Sequence, residues 1–251
     1  QDIISPERRV FVGTEWFAAV MRDQDLHEAL WRQLVFSSAV LLLEIPLGIA
    51  LALSMPAKGW QASVTLVLVA LSLLIPWNVV GTIWQIYGRA DIGLLGAALQ
   101  GMGIDYNYTG NARDAWLTVL VMDIWHWTPL VMLLILGGLA SLPIDPYEAA
   151  KIDGANGWQA FRHITLPLLM PFIVVALIIR CIDALKAFDT IYVITQGGPG
   201  SASETINIFL YLQAFAFYNV GYASAVVVVF FVIIMALAAL LLWTRQRVKM
   251  T

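Results

Sequence analysis

An all-α fold embedded in a membrane is what this sequence predicts, and three observations carry the prediction. Hydrophobic residues fill 60% of the 251 positions and charged residues only 12%, too little polar surface to cover a soluble domain of this length. Mean hydropathy is +0.79. The apolar residues are also not scattered. They gather into five runs, each of roughly 20 residues or more, the length that crosses a hydrocarbon core.

Residues 1–32 are mixed and polar, with Trp16 and Phe17 in an amphipathic stretch and no signal-peptide pattern. The five spans are predicted over 33–55, 62–87, 115–138, 168–188 and 222–243. Pro46, Pro76, Pro129 and Pro171 predict kinks in or near them. Between the third and fourth spans lies a polar island, 145–167. Glu148-Ala149-Ala150-Lys151 are strong helix formers, and Asp145 suits a helical first turn. Gly154 frees the backbone for a tight turn. Trp158, Phe161 and Ile164 then recur at helical spacing, and Pro167 fits the first turn of the next helix. The island therefore reads as two short helices broken at Gly154, patterned enough to be a handle that another protein grips. Further on, 197–203 is a Gly-rich turn in an outer loop, 189–221, that carries no Lys or Arg. Asn107-Tyr108-Thr109 matches a glycosylation sequon and reads as chance.

Several function classes are excluded. A formal charge of -3 argues against a nucleic-acid partner. The single cysteine, Cys181, rules out a disulfide framework, and His27, His126 and His163 share no ligand spacing, so no metal site is expected. No clustered catalytic set appears. The sequence also lacks a G-x-x-x-x-G-K-[ST] loop, and Gly197-Gly198-Pro199-Gly200 has no Lys to replace one.

The island carries a specific pattern. Glu148, Ala149, Ala150, Gly154, Ile164, Leu166 and Pro167 stand in the order Glu-Ala-Ala, three residues, Gly, nine residues, Ile, one residue, Leu-Pro. This resembles the EAA signature of membrane permeases in ABC importers. A second stretch, Phe188-Asp189-Thr190-Ile191-Tyr192 through Thr195-Gln196-Gly197-Gly198-Pro199, resembles the carbohydrate-importer branch and its maltose-type permeases. The likeness runs over nearly the whole chain from Phe11 onward.

The resemblance implies a type I ABC importer permease fold with five visible transmembrane helices, six in the full subunit. It implies a sugar-like solute and four kinds of neighbour: a second, different permease forming a heterodimer, two ATPase subunits, an extracytoplasmic solute-binding protein and membrane lipid. ATP and Mg would be bound by the ATPase subunits, with no cofactor in this chain. Residues 145–167 would be the coupling loop, with Glu148, Ala149, Ala150, Asp153, Gly154 and Phe161 against the ATPase. Glu148 would face a basic residue there, a charge pair that fixes register more than affinity. Such a loop would turn nucleotide-driven closure into rigid-body movement of the spans.

Orientation follows from basic residues. Arg245, Arg247 and Lys249 mark a cytoplasmic C-terminus, and alternation puts Lys58, Lys151 and Arg162 on the same side. Parity and the EAA loop decide this, since Arg8, Arg9, Arg22, Arg89 and Arg113 fall outside. The resemblance implies the inner membrane of a bacterium. Residues 1–32 then form an extracytoplasmic connector after a further helix, ahead of a permease domain over 33–251.

Carried over by register from maltose-type permeases, the solute site would include Trp77, Asp123, His126, Trp127, Arg180 and Asp183, with Asn78 beside Trp77. Sugar hydroxyls need charged or amide partners, and the apolar ring faces stack on aromatics. The same residues have plainer readings. His126 suits a polar group bonded inside the bundle, and the aromatics suit packing or an interfacial belt. Arg180, Asp183 and Lys186 recur every three residues and so share a helix face, as a salt-bridge ladder or as a water-filled face of the path. An unpaired Arg180 would suit an anionic sugar. One paired with Asp183 or Asp123 would suit a neutral sugar. A different class, a proton-coupled carrier, would use the intramembrane carboxylates Glu44, Asp123 and Asp183. The absence of inverted repeats tells against it.

Overall fold

The computed structural model describes residues 12–56 and 59–248, of which 241–248 by backbone alone. Phe11, where the likeness begins, lies outside the described residues, as do Lys58, Lys249 and the side chains of Arg245 and Arg247, so these four basic orientation markers have no structural counterpart. All regular structure among the described residues is helical. In chain order the helices are α1 (Glu15–Val20), α2 (Gln24–Ser54), α3 (Trp60–Ala70), α4 (Trp77–Tyr87), α5 (Leu94–Gly101), α6 (Ala112–Ala140), α7 (Asp145–Ile152), α8 (Gly157–Ala160), α9 (Leu166–Leu185), α10 (Asp189–Thr195), α11 (Ile206–Tyr211) and α12 (Val220–Val248). Four stretches are long and apolar enough to cross a membrane: Gln24–Ser54, Ala112–Ala140, Gly157–Leu185 and Val220–Leu240.

The second predicted span is not one continuous helix. Trp60–Leu74 and Trp77–Tyr87 meet at 96°. A 3₁₀ turn, Leu71–Leu74, ends the first arm, and Pro76 stands at the start of the second. Proline lacks the N–H that would continue the helix and pushes Ile75 out of helical geometry. Its carbonyl then accepts the N–H groups of Val79 and Val80 at 2.9 and 3.0 Å, opening α4. Pro46, Pro129 and Pro171, by contrast, lie inside unbroken helices. Other boundaries move too. Helix α2 begins at Gln24, ahead of 33, because Asp23 caps it: its Oδ1 accepts Leu26 N–H at 3.2 Å. Asn111 caps α6 likewise, accepting Arg113 N–H at 2.9 Å. The segment 189–221 is not one open loop: it holds α10, α11 and a π turn, Leu212–Ala216, around the expected Gly-rich turn. In that turn Ser203 donates to Gly198 O or Thr195 Oγ1, each at 2.7 Å.

The chain divides into two compact units, and α2, α6, α9 and α12 each contribute to both. The first unit comprises residues 1–40, 75–123 and 182–237. One of its cores gathers Trp84, Tyr106, Tyr108, Met122, Ile191 and Ile208, and another Leu26, Ile206, Phe209, Tyr222 and Phe230. Gly81 of α4 lets α10 come close: a Cβ there would sit 3.0 Å from Val193. The second unit comprises 41–74, 124–181 and 238–251, with a core of Ile45, Val131, Met132, Ile135 and Leu169.

Candidate functional site

The polar island folds as two short helices around Gly154, as its sequence predicts. Helix α7 ends on a paired turn: Ala155 N–H donates to Ala150 O at 2.9 Å and Gly154 N–H to Lys151 O at 3.3 Å. That pattern requires a left-handed residue at Gly154, whose φ is +74°. Asn156 then opens α8 with a reciprocal cap, accepting Gln159 N–H at 2.9 Å while Gln159 Oε1 accepts Asn156 N–H at 2.8 Å. The Asn-Gly-Trp-Gln spacing could have announced this cap.

Pro167 stands in the first turn of α9, as expected, but α9 does not start from a loop. A single helical stretch runs over Gly157–Leu185, and the π turn Phe161–Thr165 absorbs the change of register before Leu166-Pro167. An i→i+5 turn relieves the backbone that a proline would otherwise obstruct. Tyr147 of α7 donates to Thr165 Oγ1 at 3.0 Å, tying the two pieces together. Glu148, Ala149 and Asp153 are exposed, whereas Ala150 and Phe161 are half-buried. The segment also exposes apolar groups: Ile152 is 87% accessible and Trp158 68%. Phe161, Trp158 and Tyr147 line an apolar cavity of about 760 Å³ with Pro46, Ile49 and Leu53 of α2.

The residues expected at the solute site fall into two settings. In the second unit, Arg180 is 1% exposed and Glu44 0%. The Arg180 Nε and Nη2 donate to the two Glu44 carboxylate oxygens at 2.6 and 3.0 Å. The guanidinium carbon also lies 4.7 Å over the Trp127 ring. This corrects the salt-bridge ladder as a role for Arg180, whose fork reaches across from α9 to α2. A planar fork matches a carboxylate in a way no i,i+3 neighbour on its own helix matches as well. His126 is buried next to Trp127, their rings 5.1 Å apart and edge to face, and its carbonyl accepts from Ser72 Oγ at 3.5 Å. No local spacing signals the Glu44 partnership, because 136 residues separate the pair.

In the first unit, Trp77, Asn78 and Asp183 line a cavity of about 550 Å³ together with Lys186, Phe188 and Asp189. Asp183 and Lys186 face each other at 3.7 Å, the rung of the ladder that does form. Asp123 is buried in this unit. Sequence reasoning left Lys186, Phe188 and Asp189 out of the solute site. Their signal was position: the last turn of the fourth span and the Phe-Asp that follows it. Two amides hold the chain next to this cavity. Gln33 Nε2 donates to Ala184 O at 2.8 Å, and Asn207 Nδ2 lies 2.9 Å from Leu185 O and 3.2 Å from Ala187 O. They add hydrogen bonds to carbonyls where α9 ends and the chain turns into α10; one of these, Ala184 O, also accepts Ala187 N–H at 3.3 Å. Phe188 stacks on Tyr192 with centroids 5.2 Å apart and planes 17° apart, which fixes its ring. No group of three or more potential metal ligands occurs among the described residues.

The model of the family described as binding-protein-dependent transport system inner membrane component matches residues 44–250. The chain is 34% identical over 240 residues to the trehalose/maltose transport system permease protein MalF of Thermococcus litoralis, covering 94% of this chain and 80% of that one. It is 34% identical over 244 residues to the sulfoquinovosyl glycerol transport system permease protein SmoG of Agrobacterium fabrum, covering 92% and 76%. Among solved structures, a chain of a bacterial ABC transporter that imports the acidic polysaccharide alginate matches with a TM-score of 0.85 and 22% identity, over 96% of this chain and 85% of that one. A chain of the methionine ABC transporter MetNI matches at 0.59 and 18%, over 95% and 98%. These two likenesses show the fold.

Proposed function

The chain belongs to the inner membrane components of binding-protein-dependent transport systems, permease subunits of ABC importers without an ATPase site of their own, and we propose from that premise that it imports a sugar or sugar derivative by alternating access. The observation that carries the coupling half of this reading is the exposed α7–α8 segment. A polar loop that holds Ile152 and Trp158 out to solvent, on a backbone fixed by two caps, is built to be covered by another protein. We assign that cover to a separate ATPase subunit, which binds ATP and Mg, with Glu148, Ala149, Ala150, Asp153, Gly154 and Phe161 at the contact. The loop and the C-terminus would then face the cytoplasm. A second permease, a second ATPase subunit and an extracytoplasmic binding protein would complete the machine.

For the solute we assign the cavity of Trp77, Asn78 and Asp183, which combines aromatic faces with hydrogen-bonding groups as sugars require. Two relatives named for carbohydrate solutes support the class. They do not choose within it, since one name is of neutral disaccharides and the other of a sulfonated glycoside, at equal identity. His126, Trp127 and Arg180 take the role of a bonded support rather than of ligands in this assignment, and Asp123 stays a candidate ligand. Nothing among the described residues favours the proton-coupled carrier, because Glu44 is engaged by Arg180.

The test is uptake and ATPase activity of the reconstituted transporter carrying Glu148→Arg or Gly154→Ala. A Cβ at Gly154 meets no atom within 4 Å, so the cost is that of φ alone, about 1–2 kcal/mol, confined to the loop. Both variants are expected to assemble in the membrane and to lose uptake. Uptake at the parent rate in both would remove the coupling role from this loop.

A further inference from the structure

Sequence left open whether the solute is anionic or neutral, and the geometry points to an answer: we propose that the cavity of the first unit selects a neutral, polyhydroxylated solute, with Lys186 and Asp189 as specificity-determining residues beside Asp183. This rests on the sugar-import reading above and goes further into the same site.

One cation is not available to a solute. Arg180 would be the natural partner for a phosphate, sulfonate or uronate. Its fork is instead closed on both Glu44 oxygens, its flat face lies over Trp127, and 1% of its side chain is accessible. A buried guanidinium matched in this way presents no charge to a solute, and releasing it would break a matched bidentate pair in the interior.

Lys186 is the cation that the cavity does contain, and 61% of its side chain is accessible. It is outnumbered. Asp183 stands 3.7 Å from its ammonium, and Asp189 lines the same space, so the lining carries two carboxylates and one ammonium and is negative by one charge. An anionic sugar entering there would meet repulsion from both carboxylates, with one ammonium already shared. A neutral sugar meets what it needs. Carboxylates accept from hydroxyls, Lys186 and the Asn78 amide donate, and Trp77 and Phe188 offer flat apolar faces. Phe188 is held by its stack on Tyr192, so that face is preformed. About 550 Å³ lies within the range of small-ligand sites.

The experiment is ATP-driven uptake by the complete transporter in liposomes, with its own binding protein, ATPases and partner permease. The probes are maltose and trehalose as neutral disaccharides, and a uronate disaccharide and a sulfonated glycoside as anionic ones. The parent protein is expected to prefer the neutral probes by about tenfold or more, the order that one uncompensated charge at short range supplies. The double variant Asp183→Asn, Asp189→Asn makes the lining positive by one charge and is expected to shrink that preference by about tenfold. Because the binding protein is unchanged in that comparison, a shift belongs to the permease. Lys186→Gln is expected to weaken neutral uptake by a few-fold and to widen the preference. Preference for an anionic probe in the parent, lost in Lys186→Gln, overturns the proposal while leaving sugar import standing. A double variant whose melting temperature matches the parent and whose preference is unchanged also overturns it. ATP-driven uptake of a non-carbohydrate with none of any sugar overturns both readings.

Discussion

Two charged clusters in this chain are built from the same kinds of side chain and do opposite things. Around Arg180 the protein supplies the partners: Glu44 takes Nε and Nη2, Trp127 takes the flat face, and 1% of the side chain is accessible. Around Lys186, the charges stand at the edge of a cavity, and the nearest opposite charge is 3.7 Å away. The lesson is that a charge within a membrane span is not in itself a functional mark. What matters is whether its own chain already supplies its partners. A matched, buried pair fixes where two helices meet. A loosely matched, open one keeps capacity for a guest.

The largest effect that would sharpen this contrast is expected at Glu44. Glu44→Gln leaves the buried guanidinium short of its counter-ion and should destabilise the folded protein by about 3–5 kcal/mol. The readout is the melting temperature in detergent and the yield of membrane-inserted protein. The double variant Glu44→Gln, Arg180→Met should recover much of that loss, since an apolar replacement of both partners removes the stranded charge. If the double variant is no better than the single, the pair is not the closed unit described here.

A smaller effect is expected under the open cluster. Asn207→Ala takes donors away from Leu185 O and Ala187 O, and an unsatisfied buried carbonyl costs about 1–3 kcal/mol. It should lower the melting temperature modestly and disturb uptake more than stability, because those carbonyls hold the turn that carries Phe188 and Asp189. The smallest effect on stability belongs to Lys186→Gln. An exposed i,i+3 pair contributes about 0–1 kcal/mol. Its melting temperature should sit close to that of the parent even where uptake changes. A large loss of stability there would erase the distinction between the two clusters.

The long spans were legible because a hydrocarbon core selects on length and apolarity, and both are written locally. The handle was legible for a similar reason: Gly154 sits where a left-handed turn is needed, and helix formers flank it. The right angle before Trp77 was half-legible. Pro76 was seen as a kink, but four prolines look alike in sequence, and only the one next to a 3₁₀ turn breaks its helix. The fork between Arg180 and Glu44 was illegible. Spacing rules report neighbours on one helix, so they found Asp183 with Lys186 and could not find a partner on α2. Glu44 reads from the sequence as an intramembrane carboxylate, with nothing to say that its fork partner is Arg180. The helical character of 189–221 was missed because short helices such as α10 and α11 are held by packing, with Ile191, Ile194, Ile206 and Ile208 buried, and carry too few turns to show a period.

The π turn at Phe161–Thr165 sets a rotational phase. One helical residue is about 100° of turn, and a π turn carries one residue more than an α-helical turn does. Trp158 before it and Arg180 after it thus face directions that an uninterrupted α-helix of the same length would not give them. Removing one residue from the turn would leave the composition, hydropathy and length of the span nearly as they were. It would nonetheless swing the exposed tryptophan round by about a quarter of a circle relative to the arginine. The phase between handle and charge is therefore encoded by a count of residues, and no single side chain holds it.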